Sequence, residues 1–152
     1  MAGKEKPRID RITPSKAMFV LHWSNIGDKA KIEKILHSFE SPRSFTGDHA
    51  DFYSLKIDKF PEPILQLNDK EPVKYWIEGP VNNSILKDAI DAVCVGASSE
   101  SVAWFPQPTE INSNRFYLSF NTVVIHNQYP TAVQLIAYDR KEKILYYASI
   151  KN

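Results

Sequence analysis

The sequence predicts an α+β domain with a mainly antiparallel sheet of about six strands and two helices, in the order β-α-β-β-α-β-β-β. Three observations carry this. All five glycines and all ten prolines fall outside the periodic segments or at their edges, where they end an element without breaking its hydrogen bonds. Residues 115–150 read as three consecutive strands separated only by 127–130 and 139–142, the spacing of a C-terminal three-strand meander. No internal repeat or change of composition divides the 152 residues. The simplest organisation is a basic flexible tail over 1–14 and one domain over 15–152, a size that buries roughly 68–70% of the unfolded chain's surface.

In chain order, residues 17–23 (AMFVLHW) are apolar on both alternating faces, with Ala17, Phe19, Leu21 and Trp23 on one and Met18, Val20 and His22 on the other. That is the pattern of an interior strand, with His22 a core residue. Asn25 or Asp28 then caps a helix over 28–39, in which Ile32, Ile35, Leu36 and Phe39 recur at i, i+3, i+4 and i+7. A polar loop over 40–50 leads to a strand over 51–57, where Tyr53, Leu55 and Ile57 alternate with Phe52, Ser54 and Lys56. The three prolines of 60–72 argue for a loop or sheet edge, and 73–78 for the third strand.

The cluster Asn82-Asn83-Ser84 caps a second helix over 84–95, with Leu86, Ala89, Ile90, Val93 and Ala97 at helical spacing and Gly96 as its C-terminal glycine. An irregular connection over 98–114 carries Trp104 and Phe105. In the meander, Phe116, Leu118, Phe120 and Val124 are expected to face the core, continued by Val133, Leu135 and Ala137 and by Ile144, Tyr146, Ala148 and Ile150. Both helices are placed on one face of the sheet. Tyr117, Tyr138 and Tyr147 lie on the other face, a partner-binding surface if no helix covers it.

Composition excludes several function classes. An apolar fraction of 43% and a charged fraction of 24% are those of an ordinary globular chain. With 19 basic against 18 acidic side chains, the excess of positive charge that nucleic-acid binders use is missing. The exception is local: Lys4, Lys6, Arg8, Arg11 and Lys16 face only Glu5 and Asp10, which reads first as a solvated terminus and second as an arm for RNA. Cys94 is the one cysteine, so no intramolecular disulfide can form and a cytoplasmic protein is expected. No segment has the length and apolarity of a membrane span or a secretory signal. A monomer or small homo-oligomer is expected.

No G-x-S-x-G, G-x-x-x-x-G-K or G-x-G-x-x-G motif occurs, so neither a nucleophile elbow nor those phosphate-binding loops is present, and no cofactor is implied. Glu33 and His37, four apart, lack a third ligand at a recognisable spacing, so no metal site is expected. The best catalytic candidate is the loop with Arg43, Asp48, His49 and Asp51: a histidine able to act as acid or base, two carboxylates to orient it, and an arginine to grip an anion. The plain structural alternative is that the aspartates make turn hydrogen bonds. Trp104 and Phe105 are either interface anchors or plugs of their own core. Two readings remain. One is a small non-enzymatic interaction protein that neutralises a single protein partner in the manner of a bacterial toxin-immunity protein, binding through Arg43, Asp48, His49, Trp104 and Phe105. The other is a small hydrolase or phosphodiesterase-type enzyme using His49 with Asp48 or Asp51.

Overall fold

Strands that are apolar on both faces must be covered twice, and that requirement organises the molecule. A computed structural model describes residues 12–23, 26, 30–60 and 76–152. Its elements are helix α1 (Pro14–Trp23), strands β1 (Lys31–Glu40), β2 (His49–Lys59) and β3 (Trp76–Glu78), helix α2 (Ser84–Ser99), the single turn α3 (Pro108–Ile111), and strands β4 (Phe116–His126), β5 (Tyr129–Asp139) and β6 (Ile144–Lys151). One six-stranded antiparallel sheet runs in the order β1-β2-β6-β5-β4-β3. The α+β class, the antiparallel sheet and the C-terminal meander are therefore as predicted.

The helices lie on opposite faces, not on one. Phe52, Leu118, Leu135 and Ala148 pack with Leu86, Ile90 and Val93 of α2, whereas their chain neighbours Tyr53, Ile136 and Tyr147 pack with Ala17, Val20 and Leu21 of α1. The tyrosine face is covered as a result. Trp23 stacks on Tyr147 at 5.6 Å and Phe60 on Tyr138 at 3.7 Å, and Tyr117, Tyr138 and Tyr147 are all buried.

The first two elements are exchanged relative to the expected order. Residues 17–23 are helical because Thr13 caps the turn, accepting the Lys16 N–H at its hydroxyl (3.2 Å) and the Ala17 N–H at its carbonyl (3.0 Å), with Pro14 opening the helix. Ala17, Val20 and Leu21, at i, i+3 and i+4, are fully buried. Outside that buried stripe, Phe19 and Trp23 remain about half exposed, Trp23 at the flank where it reaches Tyr147, and His22 is exposed rather than in the core.

Residues 31–40 form a strand whose bulges imitate helical spacing. Ile32 pairs with Ile57 and Ile35 with Leu55, so both face α1 although three apart; a second irregularity between Ile35 and His37 then brings Phe39 opposite Phe52 on the α2 face. Each extra residue shifts the alternation by one. The same device acts in β4, where the shift between Phe120 and Thr122 turns Val123 toward the α2 core and leaves Val124 exposed, not buried. Gly96 does not end α2, which continues to Ser99. A Cβ there would stand 3.3 Å from Ile150 and 3.6 Å from Phe52, so glycine lets the helix lie close on the sheet.

Residues 1–11 of the expected tail, the caps Asn25 and Asp28, and 61–75 lie outside the described residues. Ile12 already belongs to the body: it is buried and donates its N–H to the Ser38 hydroxyl at 3.2 Å.

Buried carboxylates give the fold a pH signature. Asp139 is 1% exposed, and although burial alone would raise its pKa, the hydrogen bonds from Arg115 and from the backbone N–H groups of Glu142 and Lys141 outweigh that and hold it below its ordinary 3.8. A carboxyl depressed in the folded state contributes stability that is complete above its unfolded pKa and lost as pH falls through the folded one. Urea unfolding should show Asp139→Asn less stable than wild type at neutral pH. Below pH 3.8 its acid slope should be shallower, by up to about 1.4 kcal/mol per pH unit. Parallel acid slopes would contradict this account.

Candidate interaction site

The loop over 41–48 joins the hairpin of β1 and β2, and its polar residues are bonded to one another. Ser44 accepts the Asp48 N–H at 2.9 Å, and Gly47, at φ +82°, closes the turn by donating to the Ser44 carbonyl. Arg43 grips Asp51 with both terminal nitrogens, at 2.7 and 2.6 Å, and donates to the Ser41 carbonyl at 2.9 Å. The hydrogen bonds to Asp51 raise the Arg43 pKa. Asp51 is buried, so the fork that was expected to hold an anionic substrate already holds the chain's own carboxylate.

His49 meets neither aspartate. Its Nδ1 lies 2.8 Å from the Gly47 carbonyl and its Nε2 2.9 Å from the Ser149 hydroxyl. A carbonyl only accepts, so Nδ1 carries a proton and neutral imidazole accepts from Ser149. Around this pair a polar network fills the α1 side of the sheet. Glu40, buried, accepts from Lys16 and from the Tyr53 hydroxyl at 2.9 Å. Burial pushes its pKa up, but these two hydrogen bonds prevail and lower it. Burial, followed by the charge and hydrogen bond of Glu40, raises Tyr53. Tyr53 stacks on Tyr147 at 5.0 Å, and Gln134 donates to the Tyr147 hydroxyl at 3.0 Å.

The two aromatic candidates separate. Phe105 is buried, edge-on to Phe52 at 5.2 Å and to Tyr146 at 5.8 Å, so it plugs the α2 core. Trp104 is half-buried and stacks on His37 at 5.1 Å and 13°, while the His37 Nδ1 meets the Ser54 hydroxyl at 3.0 Å. With residues 31–40 in a strand, Glu33 and His37 are not on one helix face, and among the described residues no group of His, Cys, Asp or Glu could hold a metal. Cys94 is buried, its Sγ 3.6 Å from the Pro106 carbonyl. Burial pushes that thiol up to about 12, which suits packing rather than reactivity.

What the sequence did not disclose is a surface at one end of the sheet. The start of β2 pairs with the end of β6, and the end of β6 with the start of β5. The 41–48 loop, the C-terminus and the β4–β5 turn therefore meet there, with the end of α2 beside them. A cavity of about 170 Å³ is bounded by His49, Val95, Ser99, Glu100, Tyr129 and Asn152 among others. A second, of about 320 Å³, is bounded by Leu36, His37, Phe39, Glu100, Val102 and Trp104 among others. Glu100 borders both. Phe45 is wholly exposed at the loop tip, and Tyr129 and Val95 are 60% and 59% exposed. These residues come from five separate segments, and no local pattern marks them. The one available signal was large apolar side chains inside turn sequences, such as Phe45 in RSFTG.

If the Arg43–Asp51 pair is structural, Arg43→Met should leave a buried carboxylate without its cation and cost about 1–3 kcal/mol in urea unfolding. Unchanged stability would show the pair to be dispensable and free Arg43 for another role. Compared with protein-family models, curated proteins and solved structures, the chain matches none.

Proposed function

We propose that this is a small non-enzymatic interaction protein that binds a single protein partner through the end of the sheet formed by the 41–48 loop, the β4–β5 turn and the end of α2. One observation carries the reading. Phe45, Tyr129 and Val95 are large apolar side chains left exposed at this end of the sheet, Tyr129 and Val95 on the rim of the smaller cavity and Phe45 at the loop tip, while the polar groups of the neighbouring loop are bonded to each other. Rigid aromatic anchors with little conformational entropy to lose are the side chains from which binding hot spots are built. Neutralisation of the partner, as toxin-immunity proteins do, is the form of the function we favour, because it asks for a compact body and a recognition surface but no cofactor.

The test uses the full chain as bait in its native host, with the variant Phe45→Ala/Tyr129→Ala as control. Because both side chains stand out from the body, the variant should unfold within about 0.5 kcal/mol of wild type. It should nevertheless lose a partner that wild type retains at one-to-one stoichiometry with purified components. No stoichiometric partner, or one held equally by the variant, would refute the proposal. Inhibition of the purified partner's own activity is the further measurement that the neutralising role requires.

A hydrolase reading has one observation in its favour, the Ser149 hydroxyl on His49 Nε2 with Nδ1 oriented by a carbonyl, the arrangement of an activated serine. Against it, Ser149 is not among the residues that line the smaller cavity bordered by His49. A fluorophosphonate probe should leave Ser149 unlabelled; labelling that is lost in His49→Ala would favour the enzyme.

A further inference from the structure

We propose that Glu100 is the seat for an arginine side chain of the protein partner, its guanidinium paired with the carboxylate between Tyr129 and the His37–Trp104 stack. This rests on the partner-binding reading above and names the chemistry that the partner must bring. Each carboxylate buried in the described structure has its own cation: Lys16 for Glu40, Arg43 for Asp51 and Arg115 for Asp139. Glu100 is half-buried, lies on the rim of both cavities, and forms no ion pair among the described residues.

Two further features set the sign and shape of the occupant. Glu100 is the C-cap of the sixteen-residue α2, which has no basic residue in its last turn, so the partial negative charge of the helix end adds to that of the carboxylate. Ser101, at φ +60°, makes the turn after α2 that holds Glu100 between the cavities. On either side are flat aromatic surfaces, the Trp104–His37 pair at 13° and the exposed ring of Tyr129. A planar guanidinium stacks on such faces and forks onto a carboxylate, which a compact ammonium does not do. Val95, Val102 and Leu36 offer apolar walls for the aliphatic stem.

The test needs no partner. The isotope-labelled full chain is titrated with N-acetyl-arginine methylamide, and amide and indole shifts are followed by NMR. Saturable shifts are expected at Gly96, Ser99 and Ser101 and at the Trp104 indole. N-acetyl-citrulline methylamide, which has the same shape without the charge, and the variant Glu100→Gln should each weaken binding about tenfold; N-acetyl-lysine methylamide should bind more weakly than the arginine probe. Silence toward the arginine probe, an equal response to citrulline or lysine, or full affinity in Glu100→Gln would overturn the inference. A partner retained by Glu100→Gln but lost by Phe45→Ala/Tyr129→Ala would also sink this inference while leaving the partner reading intact. A successful titration with no partner captured would do the reverse.

Discussion

Phe52 and Tyr53 are neighbours on β2 and belong to different cores, and that division is the constraint on which the rest of the structure depends. A strand at the centre of a sheet buried on both faces has no side left for water. Both α2 and α1 are therefore needed, one for each face, and no single helical layer could complete the fold. The same constraint explains why the α1 face is aromatic and polar rather than aliphatic. Its Tyr53, Tyr147 and Tyr138 are flat side chains that stack under Trp23 and Phe60, and their hydroxyls, once buried, need partners.

Covering both faces also decides what happens to charge. Glu40, Asp51 and Asp139 sit in strands or at strand ends where solvent is excluded, and an unpaired carboxylate there would be destabilising. Each is therefore matched to a cation from another segment. This internal matching is the reason that the 41–48 loop, rich in the residue types of an active site, reads differently in three dimensions. Proximity in sequence put Arg43 beside His49 and two aspartates. Burial of Asp51 then committed the arginine to it, and Gly47 and Ser149 took the two nitrogens of the histidine.

Legibility of the sequence followed the regularity of the backbone. Residues 84–99 and 116–151 were readable because helix and strand there keep their own periods, apart from the shift at Asn121 that misplaced Val124. Residues 31–40 were misread because bulges insert an extra residue into a two-residue alternation, and the i, i+3 spacing that results is that of a helix. Residues 17–23 were misread for the converse reason: half-exposed aromatics beside the buried stripe of α1 filled in the polar part of an amphipathic pattern. Thr13-Pro14, a cap followed by a first-turn proline, was the local signal that outweighed the apparent alternation.

The proposed binding surface lies at the end of the sheet for the same reason that the faces are closed. With α1 and α2 over the two faces, loops converge at the ends of the sheet, where side chains are less bound by the packing of the core. Glu100 and Tyr129 share one cavity although 29 residues separate them in the sequence, so no spacing rule could have joined them. Their shared position on one cavity rim is visible only after folding. The buried carboxylates here are paired, whereas half-buried Glu100 forms no ion pair among the described residues and Tyr129 is 60% exposed. Their meeting on the rim of one cavity is why the proposed partner site rests on this end of the sheet rather than on the histidine loop taken alone.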